Sequence, residues 1–234
     1  MIEKFYPPSI YNFLWYIRSN PLGKKILDCG AGGYDPKIAF FLENGFEVYG
    51  IDISDEQIKE SDEYSKENNI DLNIIKGDMR KIPFDSEYFD YVYSYNSIFH
   101  LSKKDSGIAI NEMYRVLKKD GLCYLNFLSI DDKWSKEGEE INPGEIITKE
   151  GDEEYLHSYY EDNEPDNYFD DFEIIYKEKV LVQIGNYYNT GRTCVFEYIA
   201  KKVRKWVHKW QISIIKIPRI INPSFYLVKK NLTP

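Results

Sequence analysis

The sequence predicts an α/β fold with an open, mostly parallel sheet of seven strands, helices on both faces and an antiparallel edge. Short apolar runs alternate with segments of helical period through about the first 130 residues, as in parallel βαβ units. Two later apolar runs without an intervening helix predict the antiparallel edge. With 234 residues and 43% hydrophobic composition, the chain can bury a core that needs no disulfide bonds.

Helices and strands follow one another closely in the first part of the chain. Helical periodicity predicts helices at residues 9–19, after Pro36, at 54–68 and at 104–117. Apolar runs predict strands at residues 25–29, 46–52, 71–76, 88–95 and 122–128, with a turn at 118–121. Asp35 is expected to cap the second helix, and Ser54 with Gln57 has the spacing of a capping box.

The periodic pattern weakens after residue 130. Residues 131–171 are acidic and aromatic-rich without clear periodicity, and we interpret them as a lid inserted over the site. Residues 172–184 and 193–200 predict the two edge strands. We therefore expect one domain over residues 1–200, in which residues 1–23 also cover the site.

A glycine-rich turn is the strongest chemical signal. Gly30, Ala31 and Gly32 directly follow the first strand, which ends near Asp28. Glycines allow a tight turn and the close approach of a ligand beside a helix. A dinucleotide fingerprint requires a further glycine where Asp35 stands, and a carboxylate would repel a pyrophosphate there. The turn favours a ligand without phosphates that carries a sugar and an amino-acid moiety.

Polar residues also follow the next three strands. Asp52 ends the second strand and can accept hydrogen bonds from both hydroxyls of a ribose, or can cap the following helix. Asp78 and Met79 follow the third strand, and Asn96 follows the fourth. Since open parallel sheets bind ligands beyond the carboxyl ends of their strands, these residues are expected to converge with Asp28. Asp28 and Asp78 have structural alternatives, as acceptors of loop amides and as a turn cap.

Residues 24–128 resemble the class I S-adenosylmethionine-dependent methyltransferases, in particular the small-molecule type related to ubiquinone and menaquinone biosynthesis. The resemblance is carried by ILDCGAGGYDPKIAFFLENGFEVYGIDIS, IKGDMRKIPFDSEYFDYVYSYNSIFHL and EMYRVLKKDGLCYLNF, in this order and at family-like spacing. It implies a Rossmann-like fold with S-adenosylmethionine as cofactor. One departure is Tyr34, which replaces the last glycine common in the turn.

The resemblance also assigns roles to individual residues. It implies that Asp28, Gly30, Ala31 and Gly32 line the methionine part of the cofactor. Asp52 would hold the ribose. Asp78 and Met79 would hold the adenine. The complete set of cofactor residues expected on these grounds is Asp28, Gly30, Ala31, Gly32, Asp52, Ile53, Asp78, Met79 and Asn96.

The implied reaction is transfer of the methyl group, by in-line displacement, to a small-molecule acceptor that the sequence does not identify. Two alternatives stay open: an oxidoreductase of the NAD type, and a protein that binds S-adenosylmethionine without catalysis. Methylation of nucleic acid is disfavoured because residues 96–99 lack the two prolines of amino-directed nucleic-acid enzymes. The net charge of −9 also opposes general binding of nucleic acid.

Two histidines are candidates for catalysis or substrate contact. His100 follows the fourth strand, near the expected position of the methyl group, and could act as a general base. Its alternative is a partly buried histidine that bonds to a loop. His157 could face the substrate from the lid. Asp90 is expected to be structural, because it has no route to the mouth of the site.

The cysteines and the chain ends suggest a location. Cys29, Cys123 and Cys194 are odd in number and far apart, which predicts free thiols, and no cluster has the spacing of a zinc site. Residues 1–20 carry no secretory signal, and no apolar run is long enough to span a bilayer. A cytoplasmic location is expected.

Charge is distributed very unevenly at the C-terminal side. Residues 131–173 hold 17 acids and three bases, whereas residues 201–234 hold nine bases and no acid. The basic, apolar extension could contact an anionic membrane surface. Alternatively it could pack on the acidic segment or form a dimer interface. Pro218 and Pro223 exclude one long helix there.

Overall fold

The structure, a computed structural model, describes residues 6–151, 153–184 and 191–203. Almost all of the predicted C-terminal extension, 201–234, lies outside the described residues. Four α-helices occur in the described part: α1 (Pro8–Ser19), α2 (Ile38–Glu43), α3 (Asp55–Asn68) and α4 (Lys103–Val116). None of the described helices is long and apolar enough to cross a membrane.

Ten strands occur in the same described ranges and join in one sheet. They are β1 (Lys25–Cys29), β2 (Glu47–Asp52), β3 (Ile74–Lys76), β4 (Phe89–Ser94), β5 (Leu117–Ser129), β6 (Glu139–Asn142), β7 (Glu145–Glu150), β8 (Glu153–Tyr160), β9 (Phe172–Ile184) and β10 (Gly191–Lys202). Strands β3, β2, β1, β4 and β5 are neighbours in that order and run parallel. Strand β10 then pairs antiparallel with β5, and β9 antiparallel with β10. These seven strands confirm the predicted fold class.

The other three strands come from the segment interpreted as a lid. Strands β6, β7 and β8 form an antiparallel meander, and the end of β8 pairs with the carboxyl end of β5. The absence of a strand period in this segment has a physical reason. Strand β6 is exposed along its whole length, whereas β8 is exposed at its beginning and buried at its end, so neither alternates between an apolar and a polar face.

Apolar side chains cover both faces of the sheet. On one face, α1 and α2 bring Phe13 and Phe41 against Tyr93 of β4, with ring centroids 6.1 Å and 5.1 Å away. On the other face, Met113 of α4 packs in a cluster with Phe127 of β5. The two-sided core fixes the strand ends where the functional side chains lie.

Several predicted boundaries are corrected by local hydrogen bonds. Helix α2 begins at Ile38, and Asp35 does not cap it, because its carboxylate pairs with Lys37. Strand β3 begins only at Ile74, because Asp71 accepts a hydrogen bond from the Asn73 amide in a turn. The turn predicted at residues 118–121 lies within β5. The predicted cap of α3 is present: the Ser54 hydroxyl accepts from the Gln57 amide at 3.3 Å.

Asp90 ties three elements of the sheet together. It is buried in β4, accepts the Lys25 amide of β1 at 3.0 Å and forms an ion pair of 2.8 Å with Lys118 of β5. These contacts agree with the structural role expected for it.

We expect Asp90→Ala to lower the free energy of unfolding by about 2–4 kcal/mol, because it leaves a buried amide and a lysine without their acceptor. Denaturant unfolding followed by circular dichroism measures this. Asp62→Ala, at an exposed position of α3, is the matched control and should change stability by less than about 0.5 kcal/mol. Equal stability of the two variants would contradict the structural role.

Candidate functional site

The glycine-rich turn is bound to the end of β2. Gly30 has φ +92°, and the amides of Gly30 and Ala31 both donate to the carbonyl oxygen of Ile51, at 2.8 Å and 3.0 Å. A Cβ on Gly30 would lie 2.3 Å from the side chain of Ser97, so only glycine fits. The Ser97 hydroxyl donates to the Gly30 carbonyl at 3.2 Å and closes the turn from the β4 side.

The next two amides of the turn also have partners within the protein. Gly32 donates to Oδ2 of Asp52 at 2.9 Å, and Gly33 donates to the carbonyl oxygen of Gln57 at 2.8 Å. A turn that binds phosphate directs such N–H groups at its ligand. Here the four successive amides of residues 30–33 point into the fold, which is unfavourable for a pyrophosphate.

Asp28 is the most deeply buried carboxylate of the site. Its side chain lies at the end of β1, the residue is 3% exposed, and no hydrogen-bond partner for Oδ1 is found in the described part of the chain. Burial raises its pKa well above the ordinary value, the Tyr93 hydroxyl beside it acts in the opposite direction, and the negative charge of Asp52 raises the pKa further. The alternative in which Asp28 accepts loop amides is not observed, since those amides bind elsewhere. An orphaned buried oxygen of this kind fits a ligand with N–H donors, such as an ammonium group.

Asp52 supports the turn and keeps capacity for a ligand. Its two carboxylate oxygens accept the amides of Gly32 and Ser54, each at 2.9 Å. Each oxygen has a second lone pair, so further hydroxyl donors can be accepted. Ile53 beside it is 61% exposed, an apolar surface at the ligand side of β2. Tyr34 is 82% exposed and does not cover the turn.

The carboxylate of Asp78 forms an ion pair with Arg80. Its guanidinium binds both oxygens of Asp78 at 2.7–3.0 Å and also reaches Asp105 of α4 at 2.9 Å. The Arg80 side chain holds the pKa of Asp78 below its usual value. Met79 reaches the glycine turn: its Cε lies 3.7 Å from the position that a Cβ on Gly30 would take. The sequence did not reveal Arg80 as the partner of Asp78.

Asn96 is held by a residue that sequence reasoning missed. It has φ +55° just after β4, its amide donates to Oδ1 of Asn126 at 2.8 Å, and the side-chain amide of Asn126 donates back. Asn96 is exposed, whereas Asn126 is buried in β5. The available signal for Asn126 was one amide side chain inside an otherwise apolar strand, between Leu125 and Phe127.

His100 connects the loop after β4 with the lid. It ends a short 3-10 helix, Ile98–His100, and its Nδ1 lies 3.2 Å from the carbonyl oxygen of Leu156 in β8. Because a carbonyl can only accept, Nδ1 carries the proton and Nε2 keeps its lone pair. His157 lies at 4.8 Å between ring centroids. His100 keeps an exposed surface, but partial loss of hydration beside β8, together with His157, lowers its pKa.

The predicted residues therefore fall into two groups. Asp28, Asp52, Met79 and the turn form one connected cluster at the carboxyl ends of β1 and β2. Asn96 and His100 follow β4 on the side of β5 and the lid. No group of three histidine, cysteine or acidic side chains that could bind a metal occurs among the residues described.

Comparison with known proteins agrees with this geometry. Residues 27–125 match the family model of a methyltransferase domain. A sterol 24-C-methyltransferase of Candida albicans is 32% identical over 120 residues, which are 50% of this chain and 31% of that protein. The chain thus covers less than a third of that relative's length.

Two solved structures share the fold. A SAM-dependent methyltransferase structure from Methanosarcina mazei has a TM-score of 0.67 at 19% identity, covering 86% of this chain and 99% of that one. The 1,6-didemethyltoxoflavin-N1-methyltransferase of Burkholderia thailandensis, solved with 1,6-didemethyltoxoflavin and S-adenosylhomocysteine, has a TM-score of 0.58 at 14% identity, covering 84% and 77%. The segment built around the glycine turn is thus similar to methyltransferase domains, and it has the fold of these methyltransferase structures.

Proposed function

We propose that this chain is an S-adenosylmethionine-dependent methyltransferase acting on a small-molecule acceptor. One observation carries the proposal. The amides of the turn after β1 donate to Ile51, Asp52 and Gln57, while the buried Asp28 carboxylate has the neutral Tyr93 hydroxyl beside it and no ion-pair partner among the described residues. Such a site disfavours a phosphate and favours the ammonium group of an amino-acid moiety.

Each cofactor residue then has a distinct task. Asp28 pairs with the ammonium group beside the turn of Gly30, Ala31 and Gly32. Asp52 accepts the ribose hydroxyls. Ile53 and Met79 supply apolar contact for the adenine. Since Arg80 binds the Asp78 carboxylate, recognition of the adenine amine by Asp78 requires sharing it with the guanidinium.

The protein contributes position rather than reactive groups. When bound, the cofactor supplies the activated methyl group and its own leaving group. The residues of the chain hold the acceptor in line and exclude water. Asn96 borders the cofactor from the end of β4. His100, with Nε2 as a proton acceptor, serves as a general base where the acceptor loses a proton.

The alternatives have less support. An NAD-type oxidoreductase would need free amides in the turn for the pyrophosphate. The acidic segment 131–173 disfavours a nucleic-acid acceptor. The sterol acceptor belongs to the relatives, which are much longer than the matched segment, and the relation to ubiquinone-type enzymes stays a prediction. Free, buried Cys29, Cys123 and Cys194 support a reducing, cytoplasmic location.

Asp52→Asn is expected to weaken binding of S-adenosylhomocysteine about 10- to 100-fold, because an amide group has only one acceptor oxygen for the ribose hydroxyls. Calorimetry with the full chain measures the affinity, and a parallel titration with NAD should give no binding. Asp55→Asn, at the exposed start of α3, is the control and should bind as the wild type does. Tight NAD binding, or an unchanged affinity of Asp52→Asn, would refute the assignment.

His100→Ala should lower turnover by about 10²–10⁴-fold and leave the affinity for S-adenosylhomocysteine nearly unchanged. Turnover is measured as formation of S-adenosylhomocysteine with an acceptor that supports activity. If the variant instead melts early and loses the cofactor product, His100 is a structural link to the lid.

The pH dependence of turnover tests whether His157 lowers the pKa of His100. Because a base acts in its neutral form, turnover should fall only as the pH drops through the lowered pKa of His100, below the ordinary value of 6.5. His157→Phe keeps a ring in place and removes the second charge, so it should move this fall to higher pH. An unchanged profile in His157→Phe would mean that another group controls the rate.

A further inference from the structure

A second buried carboxylate lies on the same face of the sheet as Asp28. Glu197 of β10 is 8% exposed, and its Cα pairs with Asn126 of β5 and Glu178 of β9. Residues opposite one another in a ladder share a face. This register puts Glu197 on the face covered by α1, where Phe13 packs against Tyr124 with ring centroids 5.6 Å apart.

Polar groups from three other elements surround this carboxylate. The hydroxyls of Ser9 in α1 and Tyr124 in β5 act on it, and its charge acts in turn on Tyr95 after β4. The buried Tyr124 hydroxyl interacts with Ser9 as well as with the Glu197 carboxylate. The carboxylate therefore has neutral hydroxyl donors beside it.

No cation neutralises Glu197 within the described ranges. Its neighbour on β9 is Glu178, a second acid, and no ion pair of either residue is found there. Lys177 and Lys179 flank Glu178 in sequence, so they lie on the opposite face, where they bind Asp166 and Asp131. Burial raises the pKa of Glu197 to about 6, and the negative charge of Glu178 is the second cause of this rise.

The cluster lies beside the candidate cofactor site. Asn126, directly opposite Glu197, is hydrogen-bonded to Asn96, and Asn96 is exposed at the end of β4. Helix α1 contributes Ser9 to the same cluster. A ligand bound next to Asn96 would lie near aromatic rings and a carboxylate without a cationic partner, a combination suited to a positive charge.

We propose that Glu197 recognises a cationic nitrogen of the methyl acceptor, so that the acceptor is an amine. The assignment rests on the proposed methyltransferase function, and Glu197 acts in it as a specificity-determining residue. Tyr95 and Tyr124 provide the aromatic surroundings of the nitrogen.

Binding of two matched probe pairs tests this. The full chain is titrated with 2-phenylethylamine and 2-phenylethanol, and with hexylamine and hexanol, with and without S-adenosylhomocysteine. Within each pair size is alike and charge differs. The wild type should bind each amine at least about tenfold more tightly than its alcohol, and Glu197→Gln should lose this preference. Glu178→Gln, at the exposed neighbouring acid, is the matched control and should keep most of it.

Separate readouts distinguish the failures. The wild type, Glu197→Gln and Glu178→Gln should bind S-adenosylhomocysteine with equal affinity. A wild type that does not bind it refutes the proposed function. The amine preference is decided separately, by the probes without S-adenosylhomocysteine. A wild type that binds neither amine, or Glu197→Gln with an intact preference, overturns the inference. A lower Tm of Glu197→Gln at pH 8 also overturns it, because this would mark an ion pair within the chain.

Discussion

The site depends on the attachment of the glycine turn to the end of β2. One carbonyl oxygen, that of Ile51, accepts the amides of both Gly30 and Ala31, and the Asp52 carboxylate accepts that of Gly32. The turn is thereby closed on its own strand neighbour, and its donors are consumed. What remains at the ligand side is negative and apolar: carboxylates, Ile53 and a thioether. A site built from acceptors selects a ligand that brings its own donors and positive charge.

The parallel half of the fold could be predicted because its signals are local. A strand, a glycine turn and a capped helix each occupy a few successive residues, and the cap at Ser54 was found in this way. The residues that were missed act over long sequence distances. Asn126 contacts Asn96 thirty positions away, and Arg80, which binds Asp78 two positions away, also binds Asp105 twenty-five positions away. Periodicity cannot report such contacts, because they are set by the order of strands in the sheet.

Strands β6–β8 show how an acidic segment is anchored to the rest of the domain. Glu145 is buried and accepts the amide of Lys103 at the start of α4, while the buried Ser158 hydroxyl donates to the carbonyl oxygen of Leu101 at 2.6 Å. Both contacts reach the connection between β4 and α4, which also carries His100. The loop with the candidate base and the strands that cover it are therefore one hydrogen-bonded unit. A displacement of strands β7 and β8 would therefore move His100 rather than the glycine turn.

Two carboxylates without a cationic partner among the described residues, those of Asp28 and Glu197, lie on one face of the sheet, and this arrangement opposes stability. A pKa raised by burial means that the folded state holds its proton more tightly than the unfolded chain does. For Glu197, stability is then highest below its ordinary pKa of 4.5 and falls as the pH rises toward about 6. The shift corresponds to about 2 kcal/mol at neutral pH, a cost that a glutamine would avoid. A ligand with a positive charge would offset this cost, because its binding would stabilise the buried carboxylate. On the proposed function, the same reasoning applies to both residues, because Asp28 would pair with the ammonium group of the cofactor and Glu197 with that of the acceptor.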